Sequence, residues 1–318
     1  MESVHVPVLV HEILAYLIGT EARSKEKVGN ENTTSSSFLP TPCAIYLDGT
    51  LGGAGHAFAI AKALKGKVCV IGLDRDAQAI ERARGTLQSK ADKVILANED
   101  YRKLDIVLKE NNVQGVDMLL LDLGISSDEL DNSGRGFTFQ KDEPLLMTMG
   151  DPAKYPFTAR DIVNNWAEED IANVIFGYGE ERFARRIARS IISYRDKKKV
   201  ETTGELAEII KTCVPGFYRR GKIHPATRTF QALRIAVNDE LNALKEGLAK
   251  GYAALNPGGR MAIISFHSLE DRIVKDFNKE QAEKGARILT KKPIIAGDQE
   301  KAENPRSRSA KLRVIEKI

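Results

Sequence analysis

The sequence predicts an α/β fold: a doubly wound, mostly parallel sheet interrupted by an inserted α-helical domain. Three observations predict it. Strand-like runs at 44–48, 68–74, 94–97 and 117–122 are apolar without alternation, which is how strands buried on both faces read. Helix-like stretches at 55–65, 76–88 and 101–111 separate them, and helical crossovers impose parallel pairing. After "DLGISS" the alternation stops, and residues 128–222 hold helical patterns with no convincing strand. The expected organisation is a discontinuous sheet domain, 1–127 and 223–318, around a helical insert, 128–222.

Taken in order, residues 8–18 read as a short amphipathic helix, and the polar, Ser/Thr-rich stretch over 20–41 reads as a loop. The first strand ends in Asp48, and "GTLGGAG" turns into a helix of small residues. In the insert, helical patterns occupy 158–165, 168–176, 180–195 and 203–213. A long helix follows "HPATRTF". Along it Phe230, Leu233, Val237, Leu241, Leu244 and Leu248 recur at core spacing, while Thr227, Gln231, Arg234 and Asn238 form a polar face expected to look into a cleft. An "NPGG" turn, a strand at 260–265, a helix over 268–280 and strand-like pieces near 286–290 and 311–317 complete the sheet domain.

With 318 residues, 42% hydrophobic and 29% charged, the composition is that of a soluble globular protein. No run of about eighteen apolar residues occurs, and the N-terminus lacks a basic region and a small-residue cleavage site, so a cytoplasmic protein with no membrane segment is expected. Cys43, Cys69 and Cys213 are far apart and never in a CxxC spacing, which supports neither a disulfide framework nor a metal site. Net charge +4 is compatible with most partners, but its distribution is uneven. Residues 182–222 hold twelve Lys or Arg against four Asp or Glu, and the last fifteen residues hold five against one. Those are the places to grip a polyanion.

A strand, a glycine-rich turn and a helix N-terminus present unpaired backbone N–H groups to a ligand. Gly49, Gly52, Gly53 and Gly55 match neither the dinucleotide fingerprint nor the P-loop. Asp74 closes the second strand nineteen residues after Gly55, a position suited to ribose hydroxyls. That spacing leaves NAD and S-adenosylmethionine (SAM) both open. Electrostatics separates them better. No Lys or Arg lies between Asp48 and Lys62, and Asp48, Asp74, Asp100 and Asp122 stand at or just after strand ends. Clustered carboxylates suit a sulfonium and an ammonium group more than a dianionic pyrophosphate. Arg75 argues the other way, since an Arg here accommodates a 2′-phosphate.

At this point several long strings carry a resemblance: "HVPVLVHEIL", "DGTLGGAGHA", "GLDRDAQAI", "LLLDLGISSDELD", "RGFTF", "YGEERFARRIARSI", "HPATRTFQALRIAVNDEL" and "GGRMAIISFHSLEDRIVK". Together, in order and over nearly the whole chain, they resemble the bacterial RsmH (MraW) family. The resemblance implies a class I SAM-dependent methyltransferase fold, Rossmann-like, with a substrate-recognising helical insert. It implies N4-methylation of a decoding-centre cytosine in 16S rRNA within the small ribosomal subunit; the sequence leaves monomer and homodimer both open. Matched position by position, the SAM contacts are Ala54, Gly55, His56, Asp74, Tyr101, Asp122 and Glu129. Two positions depart from the pattern. Glu129 stands where the family commonly carries glutamine, and in "PLLMTMGDP" Leu146 and Thr148 stand where an Asp and an Arg are expected, which bears on how the insert closes.

For the chemistry, the expected catalytic residues are Asp122, His267 and Ser126. An exocyclic amine is a poor nucleophile, so an acceptor for its N–H and in-line placement are the available levers. Asp122-Leu123-Gly124 occupies the place where common amine methyltransferases of DNA carry a Pro-Pro-aromatic clamp, absent here. His267 follows the fifth strand and reads either as a proton-handling group or as a turn residue beside a helix start. On the insert, Arg182, Arg185, Arg186 and Arg189 make a helical stripe of cations, and Tyr218 beside Arg219 and Arg220 is available to stack on a base. Two rival readings are an RNA-binding ribosome assembly factor with SAM as a structural ligand, motivated by 144–152, and an NAD(P)-dependent oxidoreductase, motivated by Asp74 and Arg75.

Overall fold

The computed structural model describes residues 7–19, 43–125, 130 and 133–318. The predicted loop over 20–41 lies outside the described residues, as do Ser126, Ser127 and Glu129. The chain forms two compact units, Met1–Gly124 with Asn242–Ile318, and Ile125–Leu241. Among the described residues no helix is long and apolar enough to cross a membrane.

The first unit is built on seven strands: β1 (Ala44–Asp48), β2 (Val68–Leu73), β3 (Lys93–Ala97), β4 (Val116–Asp122), β5 (Leu255–Ser265), β6 (Arg287–Ile288) and β7 (Lys311–Glu316). Their order is β3-β2-β1-β4-β5-β7-β6. Strands β1 to β5 pair in parallel, while β7 runs antiparallel to both β5 and β6. Side chains alternate between two apolar cores. Tyr46, Val70, Leu120 and Ile264 face one, shared with α1 (Val10–Ile18), α2 (Gly55–Ala63) and α3 (Ala77–Leu87). Leu47, Ile71, Leu121 and Ile263 face the other, shared with α4 (Leu104–Glu110), α11 (Glu240–Ala254) and α12 (Ser268–Glu283). Because both faces are buried, the period of two leaves no polar–apolar alternation in the sequence.

The second unit is helical: α5 (Ala159–Asn165), α6 (Glu168–Gly179), α7 (Ala184–Arg195), α8 (Thr203–Cys213), α9 (Gly216–Arg219) and α10 (Thr227–Asn238). Thr158 with Asp161 and Thr202 with Glu205 form capping boxes that start α5 and α8. This unit ends at Leu241 rather than at 222, taking in α10, whose Phe230, Leu233 and Val237 join the helical core. Gly179 permits it, since a Cβ there would lie 2.6 Å from the Arg228 carbonyl oxygen. The single long helix read after "HPATRTF" is two. Asp239 takes the left-handed conformation, φ 51°, between α10 and α11, and Leu244 and Leu248 then serve the sheet core instead. A short polar helix, α13 (Asp298–Glu303), escapes the apolar-period reading altogether.

Candidate active site

Strand order reverses between β1 and β4, and ligands of open α/β sheets lie outside the carboxyl ends of the strands at such a point. The loop after β1 is tied across that edge. Gly49 N–H donates to the Leu120 carbonyl (3.0 Å), Leu51 N–H to that of Leu73 (3.0 Å) and Gly52 N–H to Asp74 Oδ2 (2.7 Å). At Gly49 a Cβ would sit 2.5 Å from the Leu121 side chain, so the close approach needs glycine. Ala54 takes φ 60°, a conformation that costs a non-glycine residue about 1–3 kcal/mol, and so turns the chain into α2. The first-turn N–H groups of α2, from Gly55, His56 and Ala57, have no acceptor within the helix.

A strap of three residues packs behind this turn. The Pro7 ring lies where a Cβ on Gly55 would be 3.0 Å away, Val8 O accepts from His56 Nε2 (2.8 Å), and Leu9 N–H donates to Glu300 Oε1 (2.7 Å). His56 is buried, and burial pulls its imidazole below the usual histidine range.

Three carboxylates close the strand ends. Asp48, fully buried, accepts from Tyr46 Oη (2.9 Å) and Thr50 N–H (3.1 Å), and burial pushes it up to about 6 against the lowering effect of His56, Tyr46 and Thr50. Asp122 N–H donates to Thr50 Oγ1 (2.7 Å), locking β4 to the loop. The Asp122 Oδ2 atom lies 3.6 Å from His56 Nδ1, and Oδ1 is buried with no hydrogen-bond partner among the described residues. Burial first and the Glu270 carboxylate second push Asp122 up to about 7. Asp74 accepts from Asp76 N–H (2.8 Å) as well as from Gly52, yet burial outweighs both bonds and raises it. Each of its oxygens keeps a lone pair for a hydroxyl.

Arg75, the residue that favoured a 2′-phosphate, forms an ion pair with Asp100, as does Arg102 at 2.9 Å. Tyr101, just after Asp100, packs between the Gly49 turn and α11, where a Cβ on Gly247 would meet its ring at 2.5 Å. His267 is the N-cap of α12. Glu270 N–H donates to its Nδ1 (3.4 Å), and Glu270 in turn accepts from Phe266 and His267 N–H (2.8 and 3.3 Å). Its Nε2 stands 3.2 Å from Glu270 Oε1 but off the line of a hydrogen bond. Asp122, His56 and Asp74 thus converge on one edge with Ala54 and Gly55, while His267 is occupied in shaping a helix start. Tyr46 and Thr50 are not singled out by the sequence, and Glu270 reads there only as a first-turn acid of the helix after His267. A Thr two residues after a strand-end Asp, and Glu three after His267, were the available signals.

In the helical unit, Arg182, Arg185, Arg186 and Arg189 are exposed, as the stripe requires. Arg182 lies over the rings of Phe183, Phe217 and Tyr218 at 4.9, 5.5 and 5.0 Å. The exposed ring here is Phe217, 61% exposed, because Tyr218 is half-buried with its hydroxyl bonded to Glu181. The polar face of α10 does not stand open either: Gln231 Nε2 donates to Tyr178 O, Arg234 pairs with Glu240 (2.8 Å), and Asn238 is buried. Asn238 accepts from Met149 N–H (2.9 Å) and donates to Met147 O (2.7 Å), pinning 147–149, and Thr148 within it is fully buried and donates to Gly150 O.

The strand-end edge fits a cation-bearing methyl donor: three carboxylates, no Lys or Arg in the glycine loop, and an orphaned buried oxygen on Asp122. Comparison with known proteins agrees. The model of the MraW methylase family matches residues 2–318. A protein of Heliobacterium modesticaldum named ribosomal RNA small subunit methyltransferase H is 44% identical over 331 residues, covering 99% of this chain and 98% of its own. Its namesake in Deinococcus deserti is 48% identical over 285 residues, covering 89% and 90%. The doubly wound sheet with its helical insert is accordingly a class I methyltransferase fold, whose methyl donor is S-adenosyl-L-methionine. The chain belongs to the MraW methylase family.

Proposed function

We propose that the chain methylates the N4 exocyclic amine of a decoding-centre cytosine in small-subunit 16S rRNA, acting in the cytoplasm on RNA presented in the ribosomal particle. The observation that carries the reading is Asp122, a half-buried carboxylate at the end of β4 beside the switch point, whose Oδ1 is buried with no hydrogen-bond partner among the described residues. Both relatives bear the name of a small-subunit ribosomal RNA methyltransferase, which supports the substrate class. When bound, SAM supplies an electrophilic methyl group on a sulfonium. The protein's part is to orient and to accept a proton. The amine lone pair is delocalised into the ring, so Asp122 accepts from the N–H and holds the nitrogen in line.

Around it, Asp74 takes the ribose hydroxyls, Tyr101 the adenine side, and the turn at Ala54, Gly55 and His56 offers backbone N–H groups. Ser126 and Glu129, which follow β4 in the sequence, are assigned to the same site by the family resemblance alone. The arginines of α7 grip RNA phosphates, and Phe217 offers a face to an unpaired base. A stacked or paired cytosine cannot reach the methyl group, so the target is unpaired or flipped at a cost of a few kcal/mol. The test is single-turnover transfer from labelled SAM to small-subunit particles by wild type and Asp122→Ala. Loss of at least about 100-fold in rate is expected at a SAM concentration that saturates each protein. A near wild-type rate overturns the assignment.

A further inference from the structure

His56 Nε2 lies 2.8 Å from the Val8 carbonyl oxygen. A carbonyl can only accept, so Nε2 carries the proton of a neutral imidazole and Nδ1 is left as a bare lone pair. The strap fixes that tautomer, since Leu9 is tied to Glu300 and Pro7 to the Gly55 turn. The Nδ1 atom then faces Asp122 Oδ2 at 3.6 Å, and an ionised carboxylate is likewise an acceptor. Two acceptors face each other, the imidazole 7% exposed and the carboxylate 18% exposed. Such a juxtaposition is relieved when one proton lies between them.

We propose that His56 and Asp122 hold a single proton in common, with His56 the positioning residue for the carboxyl that takes the proton from the amine. The inference rests on the reading that an amine is methylated beside Asp122. Transfer forms a C–N bond, breaks a C–S bond and releases one N–H proton. The pair receives that proton and goes from a net charge of −1 to neutral. Among the described residues the other two strand-end carboxylates are already engaged: Asp48 accepts from Tyr46 and Thr50, and Asp74 from Gly52 and Asp76. The groups facing the pair are Asp48 and Tyr46 on β1, Glu270 on α12 and Glu300 on α13. Their carboxylates favour the proton-holding state. The rise of Asp122 to about 7 accords with this. The pair is empty above that pH and full below it, so the transfer rate rises with pH through the same midpoint.

Two measurements test the pair. The first is the pH dependence of single-turnover transfer by wild type and His56→Gln. A glutamine amide can donate to Asp122 where Nδ1 cannot, which favours the carboxylate, so the midpoint is expected to fall by about one unit, a tenfold change in the dissociation constant. If His56 only walls the turn, the midpoint stays and the pair is wrong. The second needs no activity and no mutant fold: ¹⁵N-histidine and ¹³C-aspartate spectra of the wild-type protein without cofactor, titrated from pH 8.5 to 5.5. Expected are an unprotonated Nδ1 at pH 8.5 and a common midpoint for His56 Nδ1 and the Asp122 carboxyl. A protonated Nδ1 at pH 8.5, or two separate midpoints, overturns the proposal. The two readings fail separately, because wild type that methylates no cytosine amine removes the proposed function, whatever the spectra show.

Discussion

Replacing Asp122 by Asn should stabilise the protein, and more so as pH rises. In the folded state burial and Glu270 lift this carboxyl from 3.8 to about 7. A folded value above the unfolded one means that stability is fully present below pH ~4 and is lost as pH rises through ~7. The full penalty spans about three units at about 1.4 kcal/mol each, or about 4 kcal/mol. Only the part between the two test conditions is measurable cleanly. From pH 5.5 to the midpoint near 7 is about 1.5 units, so the advantage of Asp122→Asn should grow by about 2 kcal/mol between pH 5.5 and 8.5. For a sheet unit of this size that corresponds to about 4–8 °C in Tm. The assay is urea unfolding of both proteins at the two pH values, without cofactor. Comparing variants cancels the titrating groups that do not interact with Asp122. An advantage that is the same at both pH values would show that Asp122 is an ordinary carboxylate, and would remove the basis for its role as acceptor.

Other outcomes follow from named contacts. Arg185, Arg186 and Arg189 changed together to Gln should flatten the slope of log affinity for the RNA against log salt by about 0.7–0.9 per lost phosphate contact; an unchanged slope rejects the stripe as an RNA grip. Asn238→Leu strands Met149 N–H and Met147 O, and should cost about 2–4 kcal/mol in denaturant unfolding; a change within about 0.5 kcal/mol, the size of a surface substitution, contradicts the pinning of 147–149. His267→Asn keeps a capping side chain and should retain both transfer rate and pH profile, whereas His267→Ala should lose about 1 kcal/mol of stability. A fully folded His267→Asn protein without transfer would return this ring to the chemistry.

The strands were legible because β1, β2 and β4 bury both faces, which leaves unmistakable apolar runs such as "DMLLLD" ending in carboxylates. Asp48, Asp74 and Asp122 were therefore found at strand ends without a structure. What escaped was set by partners distant in sequence. The helix break at Asp239 is invisible to the apolar period, which continues through it from Val237 to Leu244 while the cores being served change. Arg75 looked like a phosphate ligand until Asp100, twenty-five positions on, was placed against it. Tyr218 and Phe217 are interchangeable as stackers in sequence, and only the buried Glu181 decides which ring is exposed. The tautomer of His56 depends on Val8, forty-eight residues away.

The most direct test of the central claim is nucleoside mass spectrometry of small ribosomal subunits that lack the modification, after incubation with the purified protein and isotopically labelled SAM. Naked 16S rRNA is run alongside. The account predicts labelled N4-methylcytidine at one decoding-centre position, formed faster on the particle than on bare RNA. Label on another atom or another base, or none while SAM is bound, would contradict it.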